Sequence, residues 1–271
     1  MSTVMERIEV FKDTLDWIEV DSVLQEKVRR SRETEKVYYE NDYPAFDAGS
    51  LRDTEISVTR DRSFQAAVRL RKEHPEARIA VLNFANAFCP GGGVQGGANA
   101  QEECLCRSST LYPALNWSYM HNNFYDYHDE LDTPLASDTL TYTENIVICK
   151  TDEDTPERLP AEEWAEVDVI IAAAPDLNYK TLPDAALFGY HLKRALHILT
   201  VAAARGADIL VLGAFGCGAF RNNPAVVANA YRTALSLIPR VFRKVEFAVY
   251  CKDEKMRNYT VFSETFKFLE V

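Results

Sequence analysis

The sequence predicts an α/β protein with a mixed, largely parallel sheet, helices on both faces and an N-terminal helical extension. Three observations predict this fold class. From about residue 56 onward, strand-like segments alternate with helix-like segments, as they do in α/β sheets. Several of the strand segments are short continuous apolar runs, which are typical of strands buried on both faces. Residues 1–55 are instead dense in charged, helix-forming residues.

The N-terminal extension comes first. The segments "ERIEVFKDTLDWI" and "DSVLQEKVRRSRE" predict two helices, because they contain neither glycine nor proline. A polar stretch, "NDYPAFDAG", follows them. Because a segment of this length makes only a small core, we expect residues 1–55 to pack on a main domain over residues 56–271.

The first half of the main domain opens with a strand in "TEISVT" and a helix in "DRSFQAAVRLRKEH" that stops before Pro75. Residues 78–85, "RIAVLNFA", predict a buried strand. A glycine-rich stretch follows, and a helix is expected to begin near Ala100. We expect residues 116–138, which are rich in aromatic residues, to be irregular and either to cover a pocket or to form a variable insertion.

The second half continues the alternation. Strands are predicted in "NIVICK", "VDVIIAAAP", "ADILVLGAF" and "KVEFAVY", and a last helix in "YTVFSETFKFL". A helix is expected to begin at Pro224 with Asn223 as its N-cap. The helix over residues 184–205 is expected to end at Gly206 and to bury one face, made of Phe188, Leu192, Ala195, Leu196, Leu199 and Ala203.

Composition excludes several classes of function. The chain has 41 acidic and 30 basic residues and a net charge of −11, which disfavours nucleic acid as a partner. The N-terminus lacks the apolar core of a signal peptide, and no apolar run is long enough to span a membrane. The five histidines and six cysteines show no metal-binding spacing, so we expect no metal and no cofactor. Reduced thiols indicate a cytoplasmic protein, which we expect to be a monomer.

Two glycine-rich loops follow predicted strands and precede helices. In the first, "NFANAFCPGGGVQGGANA", backbone N–H groups could converge on an anion, or the glycines could simply soften a turn. It matches neither the G-x-G-x-x-G nor the GK[ST] pattern, which disfavours a dinucleotide dehydrogenase and a P-loop NTPase. The second, "GAFGCGAFRNNP", offers Gly213, Gly216 and Gly218, with Phe215 and Phe220 as stacking surface. Since ligands bind beyond the carboxyl ends of such strands, the two loops together predict a bound diphosphate.

The segment "NAQEE" follows the first loop. Asn99 could cap the next helix, with Glu102 reaching back in a capping box. Because consecutive helical residues point about 100° apart, Glu103 would then be free to project towards the loop. A carboxyl group beside another one in a partly closed pocket should have a raised pKa, and it can then act as a general acid. Asn83 and Asn86 suit sugar hydroxyls or an amide edge, and Asn86 lies nearer the glycines.

These motifs, "NFAN", "PGGG", "QEE" and "GAFGCGAF", together resemble the bacterial-type poly(ADP-ribose) glycohydrolases, which are built on the ADP-ribose-binding macrodomain fold. The resemblance spans roughly residues 56–271 and implies hydrolysis of ribose–ribose bonds, with ADP-ribose released from the chain end. It implies that Glu103 is the catalytic acid, that Glu102 orients ribose hydroxyls and that Gln101 supports the loop. The implied ligand contacts are Gly91, Gly92 and Gly93 at the diphosphate and ribose, Gly216, Gly218 and Ala219 at the diphosphate, and Phe220 and Asn86 at the terminal ribose.

Two alternatives stay open. The chain could be a macrodomain that only binds ADP-ribose, or a hydrolase of another ADP-ribose derivative such as a mono-ADP-ribosylated protein. An acid beside the glycine loop favours an enzyme, since a binding module has no need of one. The adenine platform is not identified by the motifs, and the candidates for it are Tyr250, Tyr259 and Phe262.

Overall fold

The computed structural model describes residues 2–48, 53–252 and 255–267. Within these ranges the strands are β1 Lys36–Tyr38, β2 Glu55–Thr59, β3 Ile79–Ala85, β4 Leu140–Ile148, β5 Ala165–Ala173, β6 Ile209–Leu212 and β7 Lys244–Ala248. The helices are α1 Val4–Val20, α2 Ser22–Thr34, α3 Ser63–Glu73, α4 Gln101–Ser108, α5 Leu111–Leu115, α6 Ser118–Met120, α7 Asp126–Leu131, α8 Asp184–Ala204, α9 Pro224–Leu237 and α10 Arg257–Phe266.

The strands form one mixed sheet in the order β1-β4-β5-β3-β6-β7-β2. Strands β5, β3, β6, β7 and β2 are parallel, whereas β4 is antiparallel to both of its neighbours. In β3, Ile79 and Val81 enter the core on one face of the sheet, and Ala80 and Leu82 enter the core on the other. A strand covered on both faces needs apolar residues at every position, which explains the continuous apolar run. The predicted fold class is confirmed.

The N-terminal segment has the two predicted helices. Thr3 caps α1 in a capping box with Glu6, and Asp21 caps α2. Helix α1 packs on the glycine-rich stretch, where the Arg7 side chain donates a 2.6 Å hydrogen bond from Nε to the carbonyl of Gly97. The chain then adds the edge strand β1, which the sequence did not predict. Residues 1–55 therefore contribute to the same sheet as residues 56–271, and the boundary between them stays a prediction.

Some predicted elements differ from the structure. Residues 116–138 were expected to be irregular, but α6, a π-helical turn over His121–Tyr125 and α7 follow one another without a break. Phe124, Tyr125 and His128 are buried there, so packing stabilises a helix whose own residues have modest helix propensity. Strand β4 begins several residues before "NIVICK". The last residues of the predicted C-terminal helix, 268 and 269, and Gly49 of "NDYPAFDAG" lie outside the described ranges.

The buried face of α8 is only partly the predicted one. Ala195 and Leu199 are buried, but Phe188, Leu192, Leu196 and Ala203 are only half-buried. The buried face is centred instead on Leu187, His191, Arg194, Ile198, Val201 and Ala202. Hydrophobicity alone misplaces this face, because the face includes His191 and Arg194, whose side chains form hydrogen bonds to other buried groups. The predicted end of α8 at Gly206 and the Asn223 cap of α9 are confirmed.

No described helix is long and apolar enough to cross a membrane. In the described part of the chain, no three His, Cys, Asp or Glu side chains are grouped as a metal site would require. All six cysteines are described, and each is unpaired.

Candidate active site

A cavity of about 620 Å³ lies at the carboxyl ends of the parallel strands. This volume is in the usual range for small-molecule sites. It is bordered by the β3–α4 connection, the start of α4 and the β6–α9 loop, together with residues that follow β2, β5 and β7. Both glycine-rich loops therefore meet at one cavity. Of the predicted site residues, those that line it are Asn86, Gly92, Gln101, Glu102, Glu103, Gly216, Gly218, Ala219 and Phe220.

The first glycine loop brings the backbone close to the two acids. Gly92 has a φ of +55°, and a Cβ atom there would lie 2.7 Å from Oε1 of Glu103 and 3.2 Å from Oε2 of Glu102. Only glycine allows both this backbone conformation and this approach. The N–H group of Gly92 donates to the carbonyl of Cys89, and that of Gly93 donates to Glu103. These two N–H groups therefore do not form the predicted anion nest, and Gly91 and Gly93 are not among the residues that line the cavity.

Glu103 is held by the backbone at both of its oxygens. Oε1 accepts a 2.9 Å hydrogen bond from the N–H of Gly93, and Oε2 accepts one of 2.9 Å from the N–H of Ala100. Helix α4 begins at Gln101, so Ala100 is the N-cap and Glu103 is the residue that closes the capping box. The predicted cap, with Asn99 as N-cap and Glu102 reaching back, is wrong, because the helix begins one residue later than expected. Asn99 instead accepts a 2.7 Å hydrogen bond from the guanidinium of Arg107.

Glu102 points to the end of β3. Its Oε1 accepts a 3.0 Å hydrogen bond from the side-chain amide of Asn83, and its Oε2 accepts one of 2.8 Å from the N–H of Asn86. The side chain is buried, and burial raises the pKa of Glu102 to about 8, with a further contribution from the negative charge of Glu103. Glu102 therefore carries a proton at neutral pH. A raised pKa, as predicted for a carboxyl group beside another one in a partly closed pocket, is therefore found at Glu102.

Gln101 and Asn86 shape the entry to α4. The Gln101 side chain accepts from the N–H of Phe84 at 2.9 Å and donates to the carbonyl of Leu82 at 2.7 Å, which ties α4 to β3. The Asn86 side-chain oxygen accepts from the N–H groups of Phe88 and Cys89 and closes a turn. Asn83 is fully buried against Glu102, so of the two asparagines it is Asn86 that borders the cavity.

The β6–α9 loop borders the same cavity as the two acids. Gly216 has a φ of +73°, and a Cβ atom there would lie 2.6 Å from the Cβ of Ala174. The N–H groups of Gly216, Gly218, Ala219 and Phe220 make no hydrogen bond to any described residue, and all four residues line the cavity. Backbone N–H groups that lack acceptors and border one cavity can form an anion site. The second loop is therefore better suited than the first to bind a phosphate.

A third group at the cavity was missed from the sequence. Arg62, which follows β2, forms ion pairs with Asp154 and, at 3.8 Å, with Asp152. Its guanidinium lies 4.4 Å from the ring centroid of Tyr250. Arg62, Asp152, Tyr250 and Lys252 all line the cavity. Burial raises the pKa of Asp152 to about 6. The position of Arg62 just beyond a parallel strand could have indicated it, because ligands bind at that edge.

The three aromatic candidates for the adenine platform lie in different environments. Tyr250 is 43% exposed and lines the cavity. Tyr259 is half-buried and contacts Arg60, whose guanidinium is 4.8 Å from the ring centroid. Phe262 is completely buried and packs on Phe247, with ring centroids 5.5 Å apart, so it cannot receive a ligand. Residues 116–138 do not line the cavity, and the expectation that they could cover it is not supported.

The comparisons with known proteins agree with the geometry of the cavity. The family model for the catalytic domain of microbial-type PARG matches residues 16–151. The structure is similar to that of poly(ADP-ribose) glycohydrolase (PARG) from Thermomonospora curvata, with 28% sequence identity, a TM-score of 0.84, and coverage of 96% of this chain and 99% of that one. No curated protein matched in a separate search.

Two solved structures of such enzymes contain ligands. The Thermomonospora curvata enzyme bound to the inhibitor ADP-HPD is 29% identical, with a TM-score of 0.85, and the match covers 96% of this chain and 99% of that one. The Deinococcus radiodurans PARG in complex with ADP-ribose is 32% identical, with a TM-score of 0.78, and the match covers 90% of this chain and 98% of that one.

Proposed function

The chain belongs to the microbial-type poly(ADP-ribose) glycohydrolase family, and on this premise we propose that it hydrolyses the ribose–ribose bonds of poly(ADP-ribose) and releases ADP-ribose from the chain end. It is a glycoside hydrolase. One observation carries the proposal. The cavity is bordered both by two glutamates at the start of α4 and by the β6–α9 loop, in which four N–H groups have no acceptor among the described residues. An acid and a phosphate-binding loop at one cavity suit a substrate that has a glycosidic bond next to a diphosphate.

Glu103 is our candidate for the general acid. Glycosidic cleavage passes through an oxocarbenium-like transition state and needs a proton at the leaving oxygen. Because Gly93 and Ala100 hold both oxygens of Glu103, the carboxyl group has a fixed orientation at the edge of the cavity. In our proposal Glu103 enters the reaction with a proton and gives it to the oxygen that leaves as the 2′-hydroxyl of the neighbouring unit. A water molecule, deprotonated by Glu103, then adds to the ribose carbon and restores the proton on the acid.

Glu102 is our candidate for orienting the ribose. With a pKa of about 8 it carries a proton at neutral pH, so it can donate a hydrogen bond to one ribose hydroxyl and accept from another. Its anchoring by Asn83 and Asn86 supports a positioning role. Glu102 and Glu103 are adjacent on one helix and cannot flank the bond as an acid and a nucleophile do. We therefore assign stabilisation of the cation to a diphosphate oxygen of the substrate itself.

The remaining contacts follow from the cavity. We assign the diphosphate to the N–H groups of Gly216, Gly218 and Ala219, and the face of the terminal ribose to Phe220, since all four border the same cavity as the acids. Gly92 and Gly93 act mainly by letting the loop approach Glu103, and Gly91 by letting it approach Tyr112. We assign Asn86 to the terminal ribose. Gln101 keeps α4 in place against β3.

We further propose that the protein works as a monomer in the cytoplasm and has no nucleic acid partner. The six unpaired cysteines support a reducing compartment. The net charge of −11 argues against binding of a nucleic acid backbone. The partner in this proposal is ADP-ribose, either free, in a polymer or attached to a protein.

The test compares substrates. The protein is incubated with poly(ADP-ribose) and, separately, with a mono-ADP-ribosylated protein, and soluble products are separated by chromatography over time. We expect free ADP-ribose from the polymer from the earliest times, without short oligomers. Early oligomers would contradict cleavage from the chain end. Release from the mono-ADP-ribosylated protein alone would contradict the polymer as substrate, and tight ADP-ribose binding without any release would identify a binding module.

A further inference from the structure

A buried histidine lies beneath the β6–α9 loop. His191 is on α8, is 1% exposed, and its ring centroid is 6.0 Å from that of Phe215 in the loop. Its Nε2 atom is 2.8 Å from the side-chain oxygen of Asn222, at the end of the loop. His191 is not among the residues that line the cavity, so no direct contact with a ligand accounts for it.

Asn222 is the residue around which the loop is folded. It is 3% exposed, and its side-chain nitrogen donates to the carbonyls of Pro175 at 2.8 Å, Gly216 at 3.0 Å and Phe220 at 3.2 Å. A Cβ atom on Gly216 would lie 2.7 Å from this nitrogen, so no larger residue fits at that position. Asn222 thus fixes the carbonyl groups on the buried side of the loop. The N–H groups of the same peptide segment are then left for the cavity.

The contacts of Asn222 determine the tautomer of His191. Three carbonyls surround the Asn222 nitrogen, so that atom must be the NH₂ group, and the oxygen must be the atom that faces His191. An oxygen accepts only, and Nε2 of His191 therefore carries the proton. The other ring nitrogen, Nδ1, is buried and has no hydrogen-bond partner among the described residues. Burial lowers the pKa of His191 to about 4, so the ring is neutral and has one proton to donate.

We propose that His191 is a positioning residue for the diphosphate: its Nε2–H group holds the amide of Asn222 in one orientation, and Asn222 in turn holds the loop with its N–H groups towards the cavity. This inference rests on the proposed function, because it takes the diphosphate as the ligand of the loop. If the amide of Asn222 were released, it could rotate and place its oxygen against the carbonyl of Gly216. The loop would then lose the conformation in which its N–H groups are available to the diphosphate.

Three variants test this role. His191→Leu keeps a similar volume but cannot donate, His191→Gln keeps an NH₂ donor, and His197→Leu is the matched control. His197 is also buried on α8 and hydrogen bonded, to the carbonyls of Asp138 and Asp42, but it does not line the cavity or contact Asn222. The measurements are calorimetric binding of ADP-ribose and the kcat and KM for release of ADP-ribose from poly(ADP-ribose).

We expect His191→Leu to raise the Kd for ADP-ribose and the KM by about tenfold, as for one lost buried hydrogen bond, with kcat nearly unchanged. The kcat is spared because the contacts between the loop N–H groups and the diphosphate are the same in the ground state and the transition state, so their loss raises KM. His191→Gln should recover most of the affinity, and His197→Leu should keep all of it. Equal affinity of native protein and His191→Leu would overturn the role of His191. Failure of the native protein to bind ADP-ribose would instead overturn the proposed function.

The native protein provides a test that needs no variant. Nitrogen-15 NMR of the imidazole side chains distinguishes a protonated ring nitrogen from a bare one. We expect His191 to carry its proton on Nε2 and to be neutral at pH 7. A proton on Nδ1 would overturn the inference even if His191→Leu did not fold, because the ring could not then donate to Asn222.

Discussion

Substitution of Gly92 by alanine should disable the enzyme through one contact. The new Cβ atom would lie 2.7 Å from Oε1 of Glu103, about 0.7 Å short of the 3.4 Å at which ordinary contact begins. Either the carboxyl group or the loop must move by that amount. A misplacement of about 1 Å at a reacting group can reduce the rate roughly 100-fold, so we expect kcat to fall on the order of 10- to 100-fold.

The same substitution also carries a backbone cost that must be separated from this effect. Gly92 has a positive φ, and an alanine in that conformation costs about 1–2 kcal/mol. Gly91→Ala shares that cost, since φ is +67° there, but its Cβ atom meets the ring of Tyr112 rather than either acid. Gly96→Ala is the neutral control in the same loop, because nothing lies within 4 Å of its Cβ position.

The assay is steady-state release of ADP-ribose from poly(ADP-ribose) by all three variants, with thermal unfolding measured in parallel. Gly91→Ala and Gly92→Ala should both lower Tm by a few degrees, and only Gly92→Ala should lose most of its kcat. Gly96→Ala should resemble the native protein in both measurements. Equal losses of kcat in Gly91→Ala and Gly92→Ala would refute the reasoning, because loop strain and not the contact with Glu103 would then explain the loss.

Three further predictions concern neighbouring parts of the molecule. Because the pKa of Glu102 is about 8 in the folded chain against 4.5 for a free side chain, the folded state keeps a proton that the unfolded state releases, and stability falls as pH rises through this window. Glu102→Gln should flatten that decline in denaturant unfolding measured across the window, and an unchanged slope would contradict the assignment. Gly216→Ala should weaken ADP-ribose binding by about tenfold in calorimetry. Gly189→Ala should not weaken it, because its Cβ atom meets open space. Equal affinities of the two variants would contradict a role of the β6–α9 loop in binding. Phe262→Ala should lower the free energy of unfolding by about 3–5 kcal/mol with little direct effect on the cavity. Tyr250→Ala should keep the stability of the native protein but bind ADP-ribose more weakly. If Phe262→Ala weakened binding and Tyr250→Ala did not, Phe262 would be the ligand contact.

Much of the fold was predictable because most of its strands are indicated by short apolar segments of the sequence. The continuous apolar run of β3 indicates a strand covered on both faces wherever it occurs in a chain. Strand β1 gives no such pattern, since Lys36–Tyr38 is only three residues long and exists by pairing with β4. The helical segment over residues 118–131 was also not predicted from the sequence, because packing of buried aromatic residues, and not helix propensity, stabilises it.

The site was predictable as a set of residues but not as an arrangement. The motifs correctly indicated that Glu102, Glu103 and both glycine-rich loops lie at one cavity. The roles of the two acids, however, depend on the residue at which α4 begins. A shift of one residue at a helix start turns each side chain by about 100°, and a sequence rarely fixes a helix end that closely. The contact between His191 and Asn222 joins residues far apart in the chain, and no local pattern predicts it.

The central claim is that Glu103 is the acid in a cavity that binds ADP-ribose, and one pair of measurements on Glu103→Gln tests it most directly. Release of ADP-ribose from poly(ADP-ribose) is measured in a single turnover, and binding of ADP-ribose is measured by calorimetry on the same preparation. We predict that the rate falls roughly 100- to 10,000-fold, the usual contribution of a general acid, while the Kd for ADP-ribose stays close to that of the native protein. An undiminished rate with intact binding would contradict the claim.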